Sequence, residues 1–153
     1  GLIGTYHIIY DDALRRRVRR ESAATHYNSM NVLSMYALMG AYSEEGAAWV
    51  DELREVLSDN VCYACRFIVR EQHFEGVSVI KPEGTYMLFV DCEKYCEASG
   101  RTLDEVKRAG MEVGVLWQDG RPFHGPWHLR MNLALPRTRV VEAFDRLKEH
   151  VFI

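Results

Sequence analysis

With 153 residues, 48% of them hydrophobic and 27% charged, the chain can bury one ordinary core and does not depend on disulfides to hold it. A formal net charge of -3 argues against a nucleic-acid partner, and no apolar run is long enough to cross a bilayer, so no membrane partner is expected. The first residues carry no basic-then-apolar export pattern, and a cytoplasmic location is the expectation.

In chain order, Gly1 to Tyr10, with Ile3, Tyr6, Ile8 and Ile9, reads as a buried strand entered through glycines. Asp11-Asp12 opens a short helix whose Arg15, Arg16, Arg17, Arg19 and Arg20 form a solvated face ending at Glu21. A polar connection, Thr25 to Ser29, leads to a mostly apolar helix through Met30, Leu33, Met35, Leu38 and Met39. From about Ser43 a long helix carries Val50, Leu53, Leu57, Val61, Ala64 and Ile68 at three- and four-residue spacing. At ~28 residues it would reach ~40 Å, a length that often bridges two domains.

Beyond it the period shortens. Val77 to Ile80 and Thr85 to Asp91 read as two strands joined by the turn Lys81-Pro82-Glu83-Gly84, a hairpin. Thr102-Leu103-Asp104-Glu105 is a capping box that starts a helix ending near Gly110, and Gly114 to Trp117 reads as a short strand. Gly120 to Pro126 is a loop, and Arg137-Thr138 opens a closing helix carrying Val141, Phe144, Leu147 and Val151. Residues 77 to 153 therefore read as α+β, a small, mostly antiparallel sheet with helices on one side.

Cys62 and Cys65 lie in the long helix, where two cysteines three apart share one buried face, so they and Cys92 and Cys96 read as buried thiols and not as a zinc site. The six histidines show no helical ligand spacing, and no metal is implied.

Between loop and closing helix lies Trp127-His128-Leu129-Arg130-Met131-Asn132-Leu133. By the period-two rule Trp127, Leu129, Met131 and Leu133 face a core, while His128, Arg130 and Asn132 face the other way. Arg130 is either solvated and paired with a surface acid, or holds a carboxylate or phosphate bidentately.

Pro82-Glu83-Gly84-Thr85-Tyr86-Met87-Leu88-Phe89-Val90-Asp91, the glycine-rich loop, and Leu129-Arg130-Met131-Asn132 followed by Pro136 resemble the C-terminal part of a fold-type I pyridoxal-phosphate (PLP) enzyme. The nearest branch is the aminotransferases that include cystathionine β-lyases. The resemblance covers essentially the whole chain: Gly1-Leu2-Ile3-Gly4 is similar to the segment after the Schiff-base lysine, and Asn28 to Leu38 to the helix before the interdomain helix. It implies that residues 1–43 are the tail end of a large PLP-binding domain and 44–153 the interdomain helix and C-terminal small domain. It also implies that Arg130 clamps the substrate α-carboxylate, and that Asn28 and Ser29 reach the cofactor or the neighbouring subunit of a homodimer. Ile3 stands where many relatives carry a phosphate-binding arginine, which fits the lyase-like branch.

The family's lysine would fall a few residues before Gly1. Lys81, Lys94, Lys107 and Lys148 remain, and Lys81, which ends Ser78-Val79-Ile80-Lys81, reads as a surface lysine. The resemblance thus implies part of an amino-acid aminotransferase or C-S β-lyase that contributes the carboxylate-binding arginine, no catalytic residue of its own, and no turnover by this chain alone. The other class of function open to these residues is a stand-alone, non-catalytic α+β module that binds a carboxylate or another anion at Arg130.

Overall fold

The computed structural model describes residues 4–27, 29–71 and 73–153. The chain divides into two compact units, Gly1–Glu52 and Leu53–Ile153, and the division falls inside a long helix.

In the first unit, helix α1 (Asp12–Thr25) begins where the Asp11 carboxylate accepts from the Leu14 N–H at 2.6 Å. Helix α2 (Val32–Ala41) begins where the Asn31 side chain accepts from the Ser34 N–H at 2.8 Å. Both caps satisfy amides that no helical carbonyl can reach. Arg16, Arg17, Arg19 and Arg20 are exposed, and Arg15 donates to the Ile9 carbonyl. Residues 4–10 do not form the expected buried strand: they carry no ladder, and Tyr6, Ile8 and Tyr10 are exposed. An extended segment keeps strand geometry only beside a pairing partner, and none of the described residues pairs with it. Ile3 lies outside the described residues. Met30, Leu33, Met35 and Met39 are exposed too, and the only buried side chains described in this unit are Ser22 and Ser34. The apolar content of residues 4–43 is therefore not a core.

The second unit has one. Helix α3 (Glu44–Cys65) continues through a π-helical turn, Arg66–Arg70, so the long helix is present but changes pitch at Cys65. Val61, Ala64, Phe67 and Ile68 are buried, whereas Cys62 is exposed and Cys65 half-buried, which corrects the shared buried face expected of the two cysteines. The stripe that includes Ala64 and Ile68 sets the buried side of the helix, and Cys62 falls off it. Cys92 and Cys96 are buried, and burial pushes the Cys92 thiol up to about 12, so it stays protonated and inert. Among the described residues no three His, Cys, Asp or Glu side chains cluster as metal ligands, and no helix is long and apolar enough to cross a membrane.

Strands β1 (Ser78–Val79), β2 (Met87–Asp91), β3 (Gln118–Asp119) and β4 (His128–Asn132) form a sheet in the order β1-β2-β4-β3, and every pairing is antiparallel. Helix α4 (Glu93–Ser99), which the sequence reading missed, follows β2 directly. It has only 7 residues, and its one clear signal is Gly100, whose φ of 68° ends it in the left-handed region. Its Tyr95 hydroxyl donates to the Val151 carbonyl at 2.6 Å and ties down the end of the chain. Helix α5 (Leu103–Glu112) has the expected capping box, with the Thr102 N–H donating to Glu105 at 2.7 Å. Helix α6 (Arg137–His150) buries Val140, Phe144 and Leu147, with Val140 in the place expected of Val141.

Leu88 and Val90 of β2 and Leu129 and Met131 of β4 join these helices in a single core around Phe67, Phe74, Phe144 and Phe152. Each fully buried residue of this kind contributes about 1.5–3 kcal/mol. The exit of β4 is held by α3: the buried Asn60 amide donates to the carbonyls of Leu133 and Leu135 at 3.0 and 2.9 Å, and Arg137 donates to the Asp59 carbonyl while lying over the Tyr63 ring. Asn60→Ala strands two carbonyls and opens a void, so it should destabilise the protein by about 2–3 kcal/mol, read as a lower urea midpoint. A midpoint within error of the parent would show that water replaces the amide without cost.

Candidate functional site: the open face around Arg130

Strand β4 decides where Arg130 stands. Leu129 and Met131 are buried, so the residues between them point to the opposite, open face of the sheet. Trp127 does not extend this alternation. It precedes the strand, is 36% exposed, and joins the structure through its carbonyl, which accepts from the Cys92 N–H. Across the ladders Arg130 lies opposite Phe89 of β2 on one side and Gln118 of β3 on the other.

Arg130 as a whole is half-buried, and its guanidinium makes an exposed contact. Nη1 donates to Gln118 Oε1 at 3.0 Å, and the group lies over the Phe123 ring, 3.8 Å from its centroid. Phe89 and His128 stack beside it with centroids 4.3 Å apart. Among the described residues no carboxylate pairs with Arg130, so the surface-acid reading of the sequence is not what the structure has. Aromatic and amide partners hold the cation in place and leave its charge uncancelled, with N–H donors to spare.

The acid next to Gln118 is engaged elsewhere, again because of strand alternation. Asp119 follows Gln118 and therefore faces the other side of β3, toward α5. There Arg121 donates to Asp119 Oδ1 at 2.9 Å and to Asp104 at 2.7 and 3.1 Å, and Lys107 reaches Asp119 at 3.0 Å and Asp104 at 3.1 Å. The network pins the single 3₁₀ turn Arg121–Phe123, which carries the Phe123 ring to Arg130. Two glycines let this loop close: a Cβ on Gly120 would come within 2.3 Å of the His128 carbonyl oxygen, and one on Gly125 within 2.3 Å of the Phe89 ring.

The expected strand at 114–117 is displaced to Gln118–Asp119. Gly114 sits at φ 79°, the Val115 N–H donates to the Gly110 carbonyl, and the Trp117 indole donates to the Lys107 carbonyl. The Gly114 and Val115 amides are thus spent on α5 and the Trp117 side chain is anchored to it, and pairing with β4 begins at Gln118.

Of the other proposed site residues, Ser29 is exposed in the first unit, where its N–H donates to the His26 carbonyl, and Asn28 lies outside the described residues. Gln118 and Phe123 were not singled out from the sequence. Nothing local marks either one, since each meets Arg130 only through pairing 12 residues away or through a turn held by distant acids.

Three similarities bear on this architecture. The chain is 36% identical over 76 residues, 48% of its own length, to a protein of Aquifex aeolicus described as "Probable aspartate/prephenate aminotransferase". It is 27% identical over 124 residues, 78% of its length, to the aspartate aminotransferase of Thermotoga maritima. It superposes on the PLP-bound C-S lyase of Staphylococcus hominis with a TM-score of 0.79 and 25% identity, covering 95% of this chain and 36% of that one. No protein-family profile matches the chain. The chain spans 19% and 28% of the length of the two curated relatives. Its architecture is that of the C-terminal portion of a fold-type I PLP enzyme, the group that holds both aminotransferases and C-S lyases.

Arg121 and Lys107 hold the Asp119 carboxyl well below the usual carboxylate range, and Arg121 followed by Lys107 lowers Asp104. A carboxylate depressed in the folded state adds stability above its unfolded pKa, about 4, and that stability is lost as pH falls below it. Asp119→Asn should therefore flatten the acid limb of the stability profile between about pH 4 and pH 2, measured by urea midpoints across that range. An unchanged limb would show that this cluster does not support the fold.

Proposed function

We propose that this chain is the substrate-carboxylate-binding part of an amino-acid aminotransferase or C-S β-lyase that uses pyridoxal 5'-phosphate and works as a homodimer. The observation that carries the reading is Arg130: a cation fixed by neutral groups and, among the described residues, unpaired with any acid, on a fold shared with such enzymes. When bound, the cofactor supplies the electron sink that makes a substrate Cα bond labile. Arg130 holds the α-carboxylate as a fork, and so orients the amino acid while transferring no proton itself.

The described lysines do not fit the cofactor-anchoring role. Lys107 is held as an ammonium between Asp119 and Asp104, which raise its pKa, and a protonated amine is no nucleophile. Lys81, Lys94 and Lys148 are exposed at the hairpin turn, in α4 and in the last turn of α6. We assign the Schiff-base lysine to a part of the protein outside these 153 residues, and Asn28 and Ser29 to the contact with the cofactor or the neighbouring subunit. Mixing this chain with pyridoxal 5'-phosphate should give no stoichiometric visible absorption band. A band abolished by mutation of one lysine would overturn that assignment.

Arg130→Ala in the complete protein should weaken substrate binding and turnover together, by about 1.5–3 kcal/mol in kcat/KM. Arg130→Lys should recover part of this, because an ammonium cannot reproduce the fork. Folding should survive both changes, since Leu129 and Met131 are untouched. Steady-state assays with L-aspartate and with L-cystathionine test this and separate the two chemistries, amino-group transfer to a 2-oxo acid against release of pyruvate, ammonia and a thiol. Normal kinetics in an Arg130→Ala protein would end the carboxylate reading.

A further inference from the structure

We infer that Gln118 and Phe123 are positioning residues that set the charge and orientation of the Arg130 anion seat, with the neutral amide of Gln118 acting as the specificity-determining group. The inference rests on the carboxylate-binding reading of Arg130 and deepens it.

The argument begins with register. Gln118 is the cross-strand partner of Arg130, and its amide oxygen takes a hydrogen bond from Nη1 at 3.0 Å. A side chain that only had to tether a cation would do better as a carboxylate, since a charge-assisted bond is roughly twice as strong as a neutral one. A carboxylate here, however, would cancel the positive charge offered to an incoming anion. The amide tethers and does not neutralise. Asp119, next to Gln118 in β3, is meanwhile tied with Asp104 to Arg121 and Lys107, and the alternation of β3 turns it away from the seat; Asp91, on the Phe89 side of β2, stands opposite His128 and accepts from the Glu93 N–H. Phe123 covers one face of the planar guanidinium 3.8 Å from its ring centroid, and the N–H donors at the edge of the plane remain available to a ligand. Two of the partners that orient Arg130 are thus uncharged, and they constrain different freedoms: Gln118 the reach of the side chain, Phe123 the tilt of its plane.

The decisive variant is Gln118→Glu, which differs from the parent by one charge and almost no volume. Gln118 is exposed on a two-residue edge strand, so this protein should fold with an unchanged urea midpoint. The probe is 3-phenylpropionate, a carboxylate without an amino group, which reports the anion seat without engaging cofactor chemistry. In the complete protein, calorimetric titration should show Gln118→Glu weakening its binding about tenfold, the scale of one lost charge-assisted interaction. The KM of the amino-acid substrate should rise in parallel while kcat changes less. Gln118→Leu, which removes the tether but adds no charge, should weaken the probe about three- to fivefold, as for one neutral hydrogen bond. Phe123→Leu should lower kcat as well as affinity, because the guanidinium plane is then free to tilt, and Phe123→Tyr, which keeps the ring, should recover most of both.

If Gln118→Glu binds the probe as the parent does while Arg130→Ala does not, the inference is overturned and the carboxylate reading of Arg130 stands. If neither variant changes probe affinity, Arg130 is not the seat and both fall. Should Gln118→Glu fail to fold, Gln118→Leu decides alone, and parent-like affinity in it overturns the inference.

Discussion

The second unit depends on one constraint, the two-residue alternation of β4 within a sheet that is packed on only one side. Leu129 and Met131 are driven into the core by the removal of their apolar surface from water, and no register leaves both buried without turning Arg130 to the open face. A slip by one residue would bury a guanidinium in the core, at a cost far above what any single contact returns. The placement of the cation is therefore a by-product of hydrophobic burial, and it is as secure as the core itself.

The same period acts once more in β3, with the opposite consequence. Gln118 and Asp119 are adjacent, so one faces Arg130 and the other faces α5. Asp119 and Asp104 sit with Arg121 and Lys107 on the helix side of the strand, and Arg130 meets the Gln118 amide and the Phe123 ring. The Arg121–Asp104 pair is exposed, and exposed ion pairs contribute little to stability individually; Lys107 and Asp119 are half-buried. They hold the 3₁₀ turn that delivers Phe123 to Arg130.

The first unit shows what happens where no such burial is available. Its helices are correctly capped, and their boundaries follow from Asp11 and Asn31, yet Tyr6, Ile8, Leu33 and Met39 remain exposed. Capping and propensity specify a helix locally, but the apolar stripe of a helix gains its stabilisation only against another surface. The long helix α3 contains the division between the units, and its C-terminal half is the part that takes up core and tether duties, through Val61, Ala64 and Asn60.

By itself the sequence determined what depends on neighbours along the chain. The capping box at Thr102 and Glu105, the hairpin of β1 and β2, the long helix and the inward face of β4 were all legible, because each is written in a local period or a cap. Order and spacing of Pro82 to Asp91 and Leu129 to Asn132 carried the family resemblance, and with it Arg130. Only the tertiary structure decided what depends on pairing across distance. It moved the third strand to Gln118–Asp119, because the backbone before it bonds to α5; it exposed Cys62 and Trp127, because the buried stripes pass beside them; and it left residues 4–10 without a ladder. It also chose the partners of Arg130. A ladder contact between residues 12 apart and a turn held by Asp104 leave no trace in local composition.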